Sequence, residues 1–102
     1  PMMVKMLMSW DIKPGRDQEY FEFIVREWVP GLQKLGIEPT DAWYTQYGAG
    51  RQILAGATAK NLKVMKQILA TDEWQTLKEQ LLAYVDHYEE RLVRAKGTFQ
   101  ML

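Results

Sequence analysis

The sequence predicts an α+β fold, a four-stranded antiparallel sheet with helices on one face, on three observations. Val4–Ile12 alternates with period two: Val4, Met6, Met8, Trp10 and Ile12 fall on one side, Lys5, Leu7, Ser9 and Asp11 on the other. That is the pattern of a strand with one buried face. Two runs rich in β-formers, 42–47 and 51–59, flank Gly48-Ala49-Gly50. This is a hairpin signal, because the two glycines can take positive φ at no steric cost. Between and after these strands the apolar spacing changes to about 3.6 residues, the period of a helix packed along one stripe.

Lys13-Pro14-Gly15 ends the first strand, since proline cannot donate to a sheet ladder. Over Asp17–Leu35, Phe21, Ile24, Val25, Trp28, Leu32 and Leu35 share one side of a helix. Asp17 and Glu19 suit its positive N-terminal end. Pro30 predicts a kink or break near Glu27–Pro30, and Gly36 a left-handed C-cap. Ile37–Asp41, with Pro39, reads as a connection into the hairpin. There Trp43, Thr45 and Tyr47 oppose Ala42, Tyr44 and Gln46, and Ile53, Ala55 and Ala57 oppose Leu54, Gly56 and Thr58.

Asn61–Ala70 reads as a short helix capped by Asn61, with Leu62, Met65 and Leu69 inward. Asp72 and Gln75 form a capping-box pattern. The helix it opens is expected to run to about Lys96, with Trp74, Leu77, Leu81, Val85, Tyr88 and Leu92 on one stripe and Gly97 as its stop. Thr98–Leu102 reads as a last strand. The order β-α-β-β-α(α)-β is that of a ferredoxin-like sheet, with the first and third strands central. Helices cover one face only. The other would present Leu7 or Trp10, Trp43 or Tyr44, Leu54 and Phe99, depending on register. A second copy of the sheet is the expected cover, giving a closed two-fold homodimer.

At 102 residues the chain is read as a single domain, 1–102. Its formal charge of zero gives no support for a nucleic-acid partner or an anionic membrane. Without cysteine it has no disulfide and no thiolate nucleophile. Its longest apolar run falls short of the ~18–20 residues of a membrane span, and the first residues lack a signal-peptide pattern. A cytoplasmic protein is the expectation. No phosphate loop, metal-ligand spacing or Ser/His/Asp constellation is present, so no metal and no cofactor is expected.

The opening strand with Lys13-Pro14-Gly15-Arg16 and its helix, the hairpin, the short helix and Thr71-Asp72-Glu73-Trp74 resemble the dimeric α/β-barrel superfamily. That group includes antibiotic-biosynthesis-monooxygenase-like and NIPSNAP-like domains. The resemblance spans essentially the whole chain. It implies two sheets paired face to face and a small molecule held between sheet and helices. The helix expected over Glu73–Lys96 is longer than usual for the family.

His87 is the single histidine, beside Asp86, with Tyr84 and Arg91 at helical neighbour spacing. It is the catalytic candidate, as a general base, against the plainer reading of a rim or surface histidine. Haem-degrading relatives pair their histidine with an Asn on the first strand and a Trp. Trp74 could stand for the Trp, but Val4–Ile12 contains no Asn, and the haem site is not carried over. Trp10, Trp43, Tyr44, Tyr47 and Tyr84 are the aromatic candidates for a planar ligand; core and dimer interface are the alternative. Trp28 and Trp74 read more simply as core. Arg51 could hold an anionic group bidentately or face solvent at the hairpin. Asp11 and Lys13 read as solvent-facing strand-end residues.

Three functions are open on these residues. The first is a small-molecule-binding homodimer, which the resemblance extends to cofactor-independent oxidation of a planar or aromatic substrate with His87 handling protons. The second is a non-catalytic oligomer whose aromatics are interface. The third is a tautomerase using Pro1 as its base, since an N-terminal proline leading into a strand resembles that superfamily.

Overall fold

A computed structural model describes residues 3–95, and the side chains of 4–94. β1 is Met3–Ile12, followed by α1 (Asp17–Phe23), a π-helical stretch over Ile24–Trp28, and α2 (Val29–Leu35). β2 (Glu38–Tyr44) and β3 (Ile53–Ala59) form the hairpin. α3 (Leu62–Leu69), α4 (Asp72–Leu82) and β4 (Val85–Ala95) follow. The strand order is β2-β3-β1-β4 with every pairing antiparallel, so β1 and β3 are central as expected.

The long final helix is not formed. α4 stops at Leu82, and the segment expected to continue it is the edge strand β4. A bulge produced the false period. Ser9 pairs with Glu89 and Asp11 with Asp86, so His87 and Tyr88 together stand opposite Trp10. The extra residue restores Tyr88 to the side of Val85. Val85, Tyr88 and Leu92 are thus spaced by three and four, yet all pack on the core from a strand. No glycine or proline between Leu82 and Val85 marks the helix end. The expected strand Thr98–Leu102, Gly97, Phe99 and Pro1 lie outside the described residues.

Pro30 is accommodated by a π-turn. The Val29 N–H bonds the Ile24 carbonyl five residues back, and Pro30 enters the first turn of α2. One extra residue per turn rotates everything upstream. Tyr20 and Phe23 therefore point inward with Trp28 and Leu32, whereas Phe21 and Val25, expected on the inner stripe, are 48% and 70% exposed. Gly36 takes φ 96° as the left-handed cap. β2 already begins at Glu38, inside the segment read as a connection, with an irregularity after Pro39. The α4 cap is Thr71 rather than Asp72: its Oγ1 accepts from the Trp74 N–H at 3.2 Å.

Between sheet and helices lies a dense aromatic core. Trp10 meets Trp28 edge-on at 6.1 Å, and Trp28 meets Trp74 at 5.8 Å. Met6, Met65, Leu32 and Leu81 fill the gaps between them. The register places Leu7, Trp43 and Leu54 on the opposite, helix-free face, and Trp10 and Tyr44 toward the helices. Gly56 lies on the open face. A Cβ there would come within 2.6 Å of the Asp41 carboxylate and 2.8 Å of Lys5 Cε. The absence of a side chain lets Lys5 reach across β3 to Asp41 at 3.3 Å.

Candidate functional site

A groove of about 590 Å³ runs over the open face, lined by Leu7, Ser9, Trp43, Leu54, Glu89 and Arg91 among others. Trp43 and Leu54, cross-strand partners, remain 55% and 44% exposed there. Two residues beyond Ser9 on the same side of β1 is Asp11, about 7 Å further by strand rise.

Asp11 collects three donors. Its Oδ1 accepts from the Gln52 N–H at 2.8 Å, and its Oδ2 accepts from Arg51 Nη1 at 2.8 Å and lies 2.9 Å from His87 Nδ1. Those contacts hold its carboxyl below the usual carboxylate range. The Gln52 N–H acts most, then the His87 ring and the Arg51 guanidinium, against the opposing effect of burial.

The neck of the hairpin positions these groups. The Thr45 N–H bonds the Gln52 carbonyl at 2.8 Å, and Thr45 Oγ1 donates to the Arg51 carbonyl at 2.7 Å. The Gln52 side chain ties two strands together: Oε1 accepts from the Ile12 N–H, and Nε2 donates to the Tyr44 hydroxyl, both at 2.8 Å. On β4 the bulge turns His87 to φ 60°, which aims its ring at Asp11. A carboxylate can only accept, so Nδ1 carries the shared proton. In the neutral ring Nε2 is then the free lone pair, on a side chain 65% exposed. This is an imidazole oriented by a carboxylate, able to accept a proton from a group placed at its outer nitrogen.

The sequence-predicted residues are not brought to one place. His87 and Arg51 meet on Asp11, and Tyr44 joins them through Gln52. Trp43 lines the groove, while Tyr47 stands at the hairpin tip, 98% exposed. Trp10 is buried at 2% exposure with its Nε1 donating to the Tyr20 hydroxyl at 2.9 Å. Tyr84 stacks on Phe23 at 5.0 Å, with Arg16 4.9 Å above its ring. Tyr84 and Arg91, expected beside His87 on a helix, make no bond to it among the described residues, because Tyr84 lies in the turn before β4 and Arg91 on β4 itself. Asp11, expected to face solvent at the strand end, is instead bonded to Arg51, Gln52 and His87, and Gln52 is a residue that sequence reasoning did not single out. Both sit next to a chain reversal, and neither carries a local signal of its long-range partner.

No protein-family model matches the chain, and no curated protein matches it. Solved structures do match, over nearly its whole length. A NIPSNAP family protein from Agrobacterium tumefaciens is 19% identical, covers all of both chains and superposes with a TM-score of 0.72. An uncharacterized NIPSNAP domain protein from Burkholderia xenovorans is 16% identical over 95% of this chain and 96% of its own, with a TM-score of 0.64. A mutant of SnoaB, a cofactor-independent oxygenase from Streptomyces nogalater, is 15% identical over 96% and 97%, with a TM-score of 0.67. The chain has the ferredoxin-like fold of NIPSNAP and monooxygenase-like proteins, as its sequence suggested. Among the described residues no helix is long and apolar enough to cross a membrane, and no cluster of His, Asp and Glu could hold a metal ion.

Proposed function

We propose that this chain forms a two-fold homodimer through its open sheet face and binds a small planar ligand in the groove there, with Asp11 and His87 as a proton-handling pair. The observation that carries the reading is the Asp11 carboxylate at 2.9 Å from His87 Nδ1, two residues along β1 from the groove lining. Exposed Trp43 and Leu54 supply an apolar surface for a flat ring, and a second sheet would shield both. The chemistry within reach is removal of a proton from an acidic O–H or C–H of the ligand by His87 Nε2. Loss of that proton leaves an electron-rich anion that dioxygen can oxidise without a cofactor, the class of activity named for the Streptomyces nogalater neighbour.

A thermal-shift screen of planar phenols and hydroxyquinones at millimolar concentration tests binding. The expected result is stabilisation of the wild type, lost in Trp43→Ala and kept in His87→Ala. Deuterium uptake from solvent at an acidic C–H of a bound ligand should be lost in His87→Ala even though that variant still binds. A panel that shifts nothing overturns the ligand, and a monomer in sedimentation at micromolar concentration overturns the dimer.

One observation favours a second reading, a non-catalytic oligomer. The space between sheet and helices, where the resemblance places a ligand, is filled by Trp10, Trp28 and Trp74, each no more than 3% exposed. In that case Asp11, Arg51 and His87 are an ion cluster at the rim of an interface. The same screen decides between the two.

A further inference from the structure

Most charges on the open face are already matched within the chain. Lys5 bonds Asp41 across Gly56. Arg51 and His87 both bond Asp11 at one end, where Asp86 stands opposite it in the β4 register. Glu89 and Arg91, in the middle of the β1–β4 half, are different. Both are exposed, and neither makes an ion pair or a side-chain hydrogen bond among the described residues. Their cross-strand neighbours are Ser9 and Leu7, which cannot neutralise them. They lie two apart on one strand, so their side chains rise side by side, roughly 7 Å apart at the backbone.

A pair of opposite charges at that spacing is self-complementary under two-fold symmetry. An axis passing between the two positions sets Glu89 of one protomer against Arg91 of its partner, and the reverse contact forms at the same time. We infer that this reciprocal Glu89–Arg91 pairing selects a second copy of the chain as the occupant of the open face and fixes the register in which the two sheets meet. The inference rests on the homodimer reading and adds its determinant. Apolar contact from Leu7, Trp43 and Leu54 is non-directional and would tolerate several offsets. The two ion pairs penalise every offset that brings like charges together.

Sedimentation velocity on Glu89→Arg, Arg91→Glu, the double swap and an equimolar mixture of the two single variants tests this. The wild type should be a dimer that weakens with added salt. Each single variant places like charges across the axis, and its dimer should dissociate about tenfold more readily or worse. The double swap should restore the homodimer, and mixing the single variants should yield a heterodimer. Glu89→Gln and Arg91→Gln, which add no repulsion, should fall between wild type and the single swaps. If all single variants dimerise like the wild type, the pairing is overturned while the dimer stands. A monomeric wild type overturns both.

Discussion

Tyr88 lies flat against Trp10 across the β1–β4 pairing, ring centroids 5.8 Å apart and planes 10° apart. The stack places the Tyr88 hydroxyl in the interior, where it has no hydrogen-bond partner among the described residues. Burial first, and then the charge of Glu90, push its pKa up, so the phenol stays protonated. Replacing Tyr88 by Phe keeps the stack and removes an unsatisfied group. Its stability in urea unfolding should equal the wild type or exceed it by up to ~1 kcal/mol. Trp10→Ala should instead cost about 3–5 kcal/mol, since it opens a cavity beneath Tyr88 and leaves the Tyr20 hydroxyl without its donor.

The stack exists because His87 takes φ 60°, the left-handed region, and brings Tyr88 back to the core side. A residue with a Cβ pays about 1–2 kcal/mol for that conformation. His87→Gly relieves the strain and gives up a mostly exposed bond to Asp11 worth ~0–1 kcal/mol. By the balance of those two effects it should equal the wild type in stability or exceed it by up to ~2 kcal/mol. His87→Val should lose roughly 1–2 kcal/mol, because branching at Cβ crowds the left-handed backbone further. Urea melts of the two variants check the order.

These same residues show where the sequence was readable and where it was not. β1, the hairpin and α3 followed from alternation, paired glycines and the Asn61 cap, all interactions between near neighbours. β4 did not. One inserted residue at His87 converts a period of two into steps of three and four, and no breaker stands before Val85. The π-turn before Pro30 misled in the same way, exchanging Phe21 for Tyr20 on the inner stripe. His87 and Arg51 are marked by residue type and by their near neighbours along the chain. The carboxylate that joins them, Asp11, is 40 residues from Arg51 and 76 from His87. Only sheet register brings such distant positions together, and register depends on that bulge.

Gly31 offers a test of helix packing. It faces α4 so closely that an added Cβ would lie 2.9 Å from both Leu77 methyl carbons. Leu77 is 8% exposed, and both its methyl carbons must move aside for that Cβ to fit. Overpacking of this kind costs about 1–3 kcal/mol, while alanine gains up to ~1 kcal/mol in helix propensity over glycine. Gly31→Ala should therefore be destabilising by about 1 kcal/mol on balance of those two figures. In the Leu77→Ala background the clash is gone and the same substitution should stabilise. A double-mutant cycle in urea reads the difference in sign.

Asp11 gives the fold a stability term with a defined pH window. Its folded pKa lies below the ordinary carboxylate value, so folding is favoured by its ionised form. That contribution is complete above the unfolded-state value, about 3.9, and disappears as pH falls through the lower folded value. The stability difference between wild type and Asp11→Asn should accordingly be level near pH 5 and shrink progressively as pH falls below the unfolded-state value. Arg51→Ala should preserve most of that acid dependence, because the strongest influence on Asp11 is the Gln52 backbone N–H rather than the guanidinium. If the acid limb vanished in Arg51→Ala, the ion pair and not the backbone bond would be what holds Asp11 ionised at the end of β1.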